Sequence, residues 1–210
     1  MRERRLWDIS QKLRPGLPVW PGDTAFAARA TWSMADTPVN VSAVTLSTHS
    51  GTHADAPSHY AADGAGAGAL DLARFIGLAR VVDARNAGAR IETRHLADAL
   101  KDAPPRVLFR TYAHFPHDAW ESDFTAIAPE AIDALADAGV FLIGLDSPSL
   151  DPEQSKTMDA HKALHRRGMS VLEGLVLDDV PAGDYELIAP PLPLWEADAA
   201  PVRAILRELA

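Results

Sequence analysis

The sequence predicts a single mixed α/β domain, rich in strands, and three observations lead there. Six short apolar runs have the length and β-branched content of strands: Val39–Leu46, Arg80–Asp83, Arg106–Arg110, Val140–Leu145, Ser170–Leu177 and Tyr185–Ala189. Only three segments between them read as helix, so strands outnumber helices. The 210 residues contain no evident repeat and no Ser/Gly linker. Residues 1–210 are therefore expected to form one domain, long enough to bury about 70% of its unfolded surface.

Taken in order, Val39–Leu46 continues to Thr48 before a turn interrupts it. Ala61–Ala69 has the glycine density of a phosphate loop. It lacks the G-x-G-x-x-G order, and no Lys-Ser/Thr follows. A mobile loop is expected there, placed to act as a lid over the preceding residues. Ile91–Lys101 follows a glycine-bearing turn and reads as a helix, with Leu96 and Leu100 four apart. Pro129–Ala138 starts with proline in a first helical turn and stops at Gly139. Met158–Arg167 stops at Gly168 in the same way.

Composition excludes several functions. A formal charge of −9 disfavours nucleic acid, which calls for clustered Lys and Arg. The basic start Arg2-Glu3-Arg4-Arg5 is too short to alter that and reads as a frayed terminus. With no cysteine there is no disulfide, thiolate ligand or cysteine nucleophile, so nitrogen and oxygen must hold any metal. Neither a signal-peptide pattern nor an apolar window of membrane-spanning length occurs, and a cytoplasmic protein is expected.

The densest chemistry lies at His49, His53, Asp55 and His59. Imidazole and carboxylate suit a borderline divalent cation such as zinc. Five of the eight histidines lie outside this stretch, so its density is unusual. In a straight strand His49 and His53 would stand roughly 13 Å apart. That is too far for one ion with ligand bonds of about 2 Å. A straight helix rotates Asp55 off the His49/His53 face, and Pro57 is a poor interior helix residue. The chain must bend, and Gly51 permits it. A compact turn after the strand is expected to fold His49, His53 and Asp55 around one point.

Among the other histidines, His114 and His117 read as surface or pocket-edge residues and His95 as structural. His161 and His165 share a helix face. A turn at Gly168 and a returning strand could bring His161 close to Glu173; a solvated helix face is the alternative. The sequence argues against a serine hydrolase. Gly144-Leu145-Asp146-Ser147-Pro148 lacks the spacing and second glycine of a nucleophile elbow.

His49-x-Gly51-Thr52-His53-x-Asp55-x-Pro57-x-His59 resembles the signature of the metal-dependent cyclase-like hydrolases. That family includes bacterial kynurenine formamidases and isatin hydrolases. The likeness to its formamidase branch covers nearly the whole chain. It includes Trp7–Ser10, Pro18–Thr24, Gly144–Ser149, Met158–Lys162, Leu172–Leu175 and Ala189–Leu194. The resemblance implies a swivelling β/β/α domain, usually a homodimer, acting on a small-molecule substrate. It implies two zinc ions, with manganese or cobalt as other metals that such ligands accept. His49, His53 and Asp55 would hold the first ion; Asp55 would bridge to a second completed by His161 and Glu173. It favours His161 over His165, makes His59 the general acid/base, and places Trp20 against the aromatic part of the substrate. The implied reaction is hydrolysis of N-formyl-L-kynurenine to L-kynurenine and formate in tryptophan degradation. Hydrolysis of another aromatic amide or lactam, such as isatin, and metal binding without turnover are the alternatives. His59, a fourth histidine not needed as a ligand, argues against the last.

Overall fold

The computed structural model describes residues 4–210. Its strands are β1 (Leu6–Asp8), β2 (Ala27–Trp32), β3 (Val41–Thr45), β4 (His53–Asp55), β5 (Ile76–Asp83), β6 (Arg90–Ile91) and β7 (Arg106–Arg110). They continue with β8 (Ala126–Ile127), β9 (Leu142–Leu145), β10 (Ser170–Leu172), β11 (Gly183–Ile188), β12 (Ala199–Pro201) and β13 (Ile205–Glu208). The α-helices are α1 (Ala97–Leu100), α2 (Pro129–Asp137) and α3 (Asp159–Arg166). This is the expected strand-rich mixed α/β domain.

Seven strands form one sheet in the order β1-β13-β11-β5-β7-β9-β10. Strands β5, β7, β9 and β10 run parallel, while β11, β13 and β1 join them antiparallel. Strands β7, β9 and β10 are buried on both faces, which explains their near-continuous apolar sequences, whereas the first half of β5 exposes Ile76 and Leu78. Along β7, Val107 and Phe109 enter the core beneath α2 and α3, with Ile132, Leu135 and Leu164. The intervening Leu108 points the other way, to a second core with Ile9, Phe75, Leu172 and Leu206. Alternate residues face opposite sides of a strand, so one five-residue strand serves both cores.

Four expectations need correction. Ile91–Lys101 is no continuous helix. Ile91 pairs with Ile127 in the parallel β6–β8 ladder, and a 3-10 turn at Thr93–His95 separates it from the four-residue α1. His95 belongs to that turn, its Nδ1 accepting from Glu92 N at 3.0 Å. Ser170–Leu177 stops as a strand at Leu172, because Glu173 leaves the sheet to pair with His53. The Ala61–Ala69 segment is pinned. Ala67 N donates to Ala197 O (2.8 Å) and Gly68 N to Leu194 O (3.1 Å). A Cβ on Gly66 or Gly68 would come within 2.5 or 2.6 Å of the Trp195 backbone, so these glycines serve close packing. Lastly, Arg2 and Glu3 lie outside the described residues, but Arg5 is held: Glu208 N donates to Arg5 O at 2.9 Å.

Among the described residues the β2–β3 ribbon pairs only with itself, and it exposes Trp32, Met34, Val41 and Val44. No helix among the described residues is long and apolar enough to cross a membrane.

Candidate active site

The site begins at the turn that Gly51 makes, with φ +67°. After it, Thr52 Oγ1 donates to Gly174 O (2.7 Å) and accepts from Gln11 N (2.9 Å). Strand β4 then meets the end of β10. His53 N donates to Glu173 O (3.2 Å) and Glu173 N to His53 O (3.0 Å). Two residues that exchange both backbone bonds in an antiparallel pair place their side chains on one face. Asp55, two residues along β4, shares that face with His53. A single antiparallel bridge thus closes a sequence gap of 120 residues.

The fourth element is α3. Asp151 accepts from Ala160 N (3.0 Å) and His161 N (3.1 Å) at its first turn and pairs with His161 Nδ1 at 2.7 Å. That fixes both the helix start and the imidazole, whose Nε2 is left facing the centre. Gly174 makes the exit turn at φ +63°, where a Cβ would sit 2.5 Å from Gln11 Nε2 and 2.7 Å from Gly51 O. Gly174→Ala is expected to cost at least about 2 kcal/mol, from left-handed backbone strain plus overpacking. Gly88, also at positive φ but with nothing within 4 Å, is the control. Urea unfolding of both alanine variants checks this: equal losses would show that the contact at Gly174 is unimportant.

At the centre, Asp55 Oδ1 lies 3.1 Å from His49 Nδ1 and 3.3 Å from His53 Nε2. Asp55 Oδ2 lies 3.4 Å from His161 Nε2. Glu173 completes the ring, Oε2 at 3.4 Å from His53 Nε2 and Oε1 at 3.4 Å from His161 Nε2. The structure therefore brings together the five residues His49, His53, Asp55, His161 and Glu173. It leaves His165 on the exposed side of α3, His114 exposed, and His117 outside the cluster. Ser147 is buried and donates to Thr125 O at 2.6 Å, so it is no nucleophile.

The donors fit a cation. His53 Nδ1 lies 2.9 Å from Gly51 O, an atom that only accepts, so Nδ1 carries the proton and Nε2 presents a lone pair inward. His53 Nε2, His161 Nε2 and both Asp55 oxygens are buried without a hydrogen-bond partner. Lone pairs facing carboxylate oxygens repel unless protons or a cation lie between them. Burial opposes charge on the histidines, yet the carboxylates prevail: Asp55 and Glu173 lift His53 to about 10. His161 is likewise raised by Asp151, Asp55 and Glu173. The three histidines hold Asp55 well below the usual carboxylate range despite its burial. This nitrogen and oxygen set is one that zinc accepts. The two Asp55 oxygens face different histidines, Oδ1 toward His49 and His53 and Oδ2 toward His161. A different grouping is also compact: ligand atoms of His49, Asp55 and His59 lie within 4.8 Å of one another.

His59 ends a 3-10 turn over Pro57–His59 and is partly exposed, its Nε2 4.0 Å from Asp55 Oδ2. Burial, with His49 and His161 nearby, pulls its pKa below the usual value against the opposing pull of Asp55 and Glu173. Above the histidines opens a cavity of about 350 Å³ lined by Trp20, Tyr112, Phe115, Trp120 and Met158. It lies beyond the carboxyl ends of β7, β9 and β10, where open α/β sheets characteristically bind ligands. Trp20 begins a turn closed by Asp23 N to Trp20 O at 2.9 Å. Its ring meets Trp120 edge-on at 5.4 Å.

Sequence reasoning missed two buried acids. Asp151 orients His161, and its only signal was a position eight residues before the α3 start. Asp146 accepts from Thr111 N and Oγ1 and from Tyr112 N, bracing the loop that carries the pocket aromatics. Burial pushes the Asp146 carboxyl up to about 6 against those donors.

The family described as "Putative cyclase" matches residues 7–152. A kynurenine formamidase of Erythrobacter litoralis (strain HTCC2594) is 55% identical over 208 residues, 99% of this chain and 95% of that protein. A solved potential metal-dependent hydrolase with cyclase activity is 29% identical, with a TM-score of 0.85 over 99% of this chain and all of the other. An isatin hydrolase bound to the product analogue thioisatinate superposes with a TM-score of 0.83 at 24% identity. It spans 99% of this chain and 94% of its own, and shares the fold.

Proposed function

The chain belongs to the cyclase family, and from that premise we propose that it hydrolyses N-formyl-L-kynurenine to L-kynurenine and formate. The observation that carries this reading is the 55% identity, across 99% of the chain, to a kynurenine formamidase. The buried ring of imidazole and carboxylate beneath an aromatic cavity supports it. The whole of residues 1–210 would act as one catalytic domain in the cytoplasm, assembled as a homodimer. The exposed apolar residues of the β2–β3 ribbon offer a surface for that assembly.

In this reading His49, His53 and Asp55 hold one zinc ion, and Asp55, His161 and Glu173 hold the second. When bound, the ions supply Lewis-acid charge that polarises a carbonyl group and makes water more acidic. The rest falls to side chains. Water adds across the formamide: its oxygen joins the formyl carbon, the C–N bond breaks, and the aniline nitrogen departs with a proton. An anilide anion leaves poorly, so that proton must arrive as the bond breaks. His59, at the cavity floor beside Asp55, takes that proton from the attacking water at Nε2 and passes it to the departing nitrogen. Trp20, Phe115 and Trp120 give the aminophenyl ring flat apolar walls and keep bulk water off the reacting bond.

The test is formate release from N-formyl-L-kynurenine and ring opening of isatin, assayed side by side before and after chelation. Elemental analysis and light scattering accompany it. Expected are about two zinc ions per subunit, dimer mass, strong preference for the formamide and loss of activity on chelation. Preference for isatin, or bound metal without formate release, would overturn the assignment.

A further inference from the structure

The side chain of Asp198 stands against two of the site's imidazoles. Its Oδ2 lies 3.3 Å from His49 Nε2 and 3.7 Å from His59 Nδ1, while Oδ1 accepts from Thr48 Oγ1 at 2.7 Å. The two rings are 4.3 Å apart at their centroids, so the same carboxylate oxygen stands within hydrogen-bond distance of His49 and in close ion-pair range of His59.

This acid is fastened to the strand that carries the central carboxylate. Ala56 N donates to Asp198 O at 2.8 Å. The next residue, Ala199, opens β12 and pairs with Asp55 in β4. From behind, the segment is braced by Ala67 N to Ala197 O and by the close packing of Gly66 and Gly68 on Trp195. Although Asp198 is partly exposed, backbone and hydroxyl together hold its carboxylate in place.

Each imidazole of the site has one nitrogen toward the centre and one away from it. Outward, His53 meets Gly51 O and His161 meets Asp151. His49 and His59 have Asp198 in the equivalent place. An ionised carboxylate only accepts, so it favours N–H at His49 Nε2 and at His59 Nδ1. That leaves His49 Nδ1, 3.1 Å from Asp55, and His59 Nε2, 4.0 Å from Asp55, as the nitrogens free for the centre. Outer-sphere acceptors of this kind set the tautomer and ring orientation of metal-binding histidines.

We propose that Asp198 is a positioning residue that sets the tautomers of both His49 and His59, coupling the metal ligand to the proton donor. The proposal rests on the roles assigned above to those two histidines, but its primary readout does not depend on the substrate. The ring-nitrogen signals of His59 are recorded by NMR on zinc-loaded protein labelled with ¹⁵N-histidine, and identified by their loss in His59→Gln. The wild type should carry its proton on Nδ1, and Asp198→Ala should shift it toward Nε2. With N-formyl-L-kynurenine, Asp198→Ala should lower kcat by about ten- to a hundredfold with KM within about twofold. Asp198→Asn, which keeps an acceptor oxygen, should recover part of that loss. Thr48→Val keeps the carboxylate but removes its anchor, so it serves if Asp198→Ala does not fold. A smaller loss, about threefold, is expected there. An unchanged His59 tautomer in the folded variants, with kcat within twofold of wild type, overturns the proposal. If the tautomer shifts but no variant, wild type included, releases formate, the substrate assignment fails and the role of Asp198 stands.

Discussion

Asp55→Asn is expected to strip the protein of bound metal and to lower kcat/KM by at least about a thousandfold, while leaving the fold intact. Asp55→Ala should be equally inactive and also melt early. The difference follows from what each replacement offers the histidines. Asp55 is buried between His49, His53 and His161, with Oδ1 turned to the first two and Oδ2 to the third. Asparagine keeps the shape and one acceptor oxygen, but its NH₂ donates to an imidazole lone pair that a cation would otherwise occupy. The metal-free cluster is then satisfied by hydrogen bonds. Alanine leaves His53 Nε2 and His161 Nε2 with Glu173 as the one carboxylate between them, and breaking a buried charged cluster costs about 3–5 kcal/mol. Elemental analysis, formate release and thermal unfolding of both variants check this. Two bound ions and wild-type rates in Asp55→Asn would remove Asp55 from the centre.

The same ring of atoms explains why the site was only partly legible in the sequence. Helix α2 was readable because proline opens it and Gly139 closes it. Strands β7 and β9 were readable because burial on both faces makes them continuously apolar. The tight spacing of His49, His53 and Asp55, with Gly51 among them, exposed one half of the cluster. The other half is assembled by contacts that leave no periodic trace. Glu173 reaches His53 through a single antiparallel bridge, formed where β10 ends. That departure from the sheet also spoiled the predicted strand to Leu177. Asp151, Asp146 and Asp198 act through hydrogen bonds to residues distant in sequence or to loop backbone, and no spacing rule distinguishes them from surface acids. The glycines of Ala61–Ala69 misled for a related reason. Glycine permits either mobility or close backbone packing, and only the position of Trp195 decides between them.

His59→Ala is expected to keep its full metal content and to lose about a hundred- to ten-thousandfold in kcat. The first part separates two partitions of the cluster. If His49, His53, Asp55, His161 and Glu173 are the complete ligand set, truncating His59 removes none of them. If His59 instead completes a site with His49 and Asp55, which its position allows, the variant should lose an ion. The second part depends on the leaving group. An aniline nitrogen cannot depart as an anion and needs a proton from His59 Nε2. A phenol ionises near pH 10, so phenolate leaves unaided. Activity of His59→Ala on an aryl formate ester should therefore fall far less than activity on N-formyl-L-kynurenine. A residue that only shapes the pocket would damage both substrates alike. Equal losses on ester and amide, with metal retained, would show that His59 is not the proton donor.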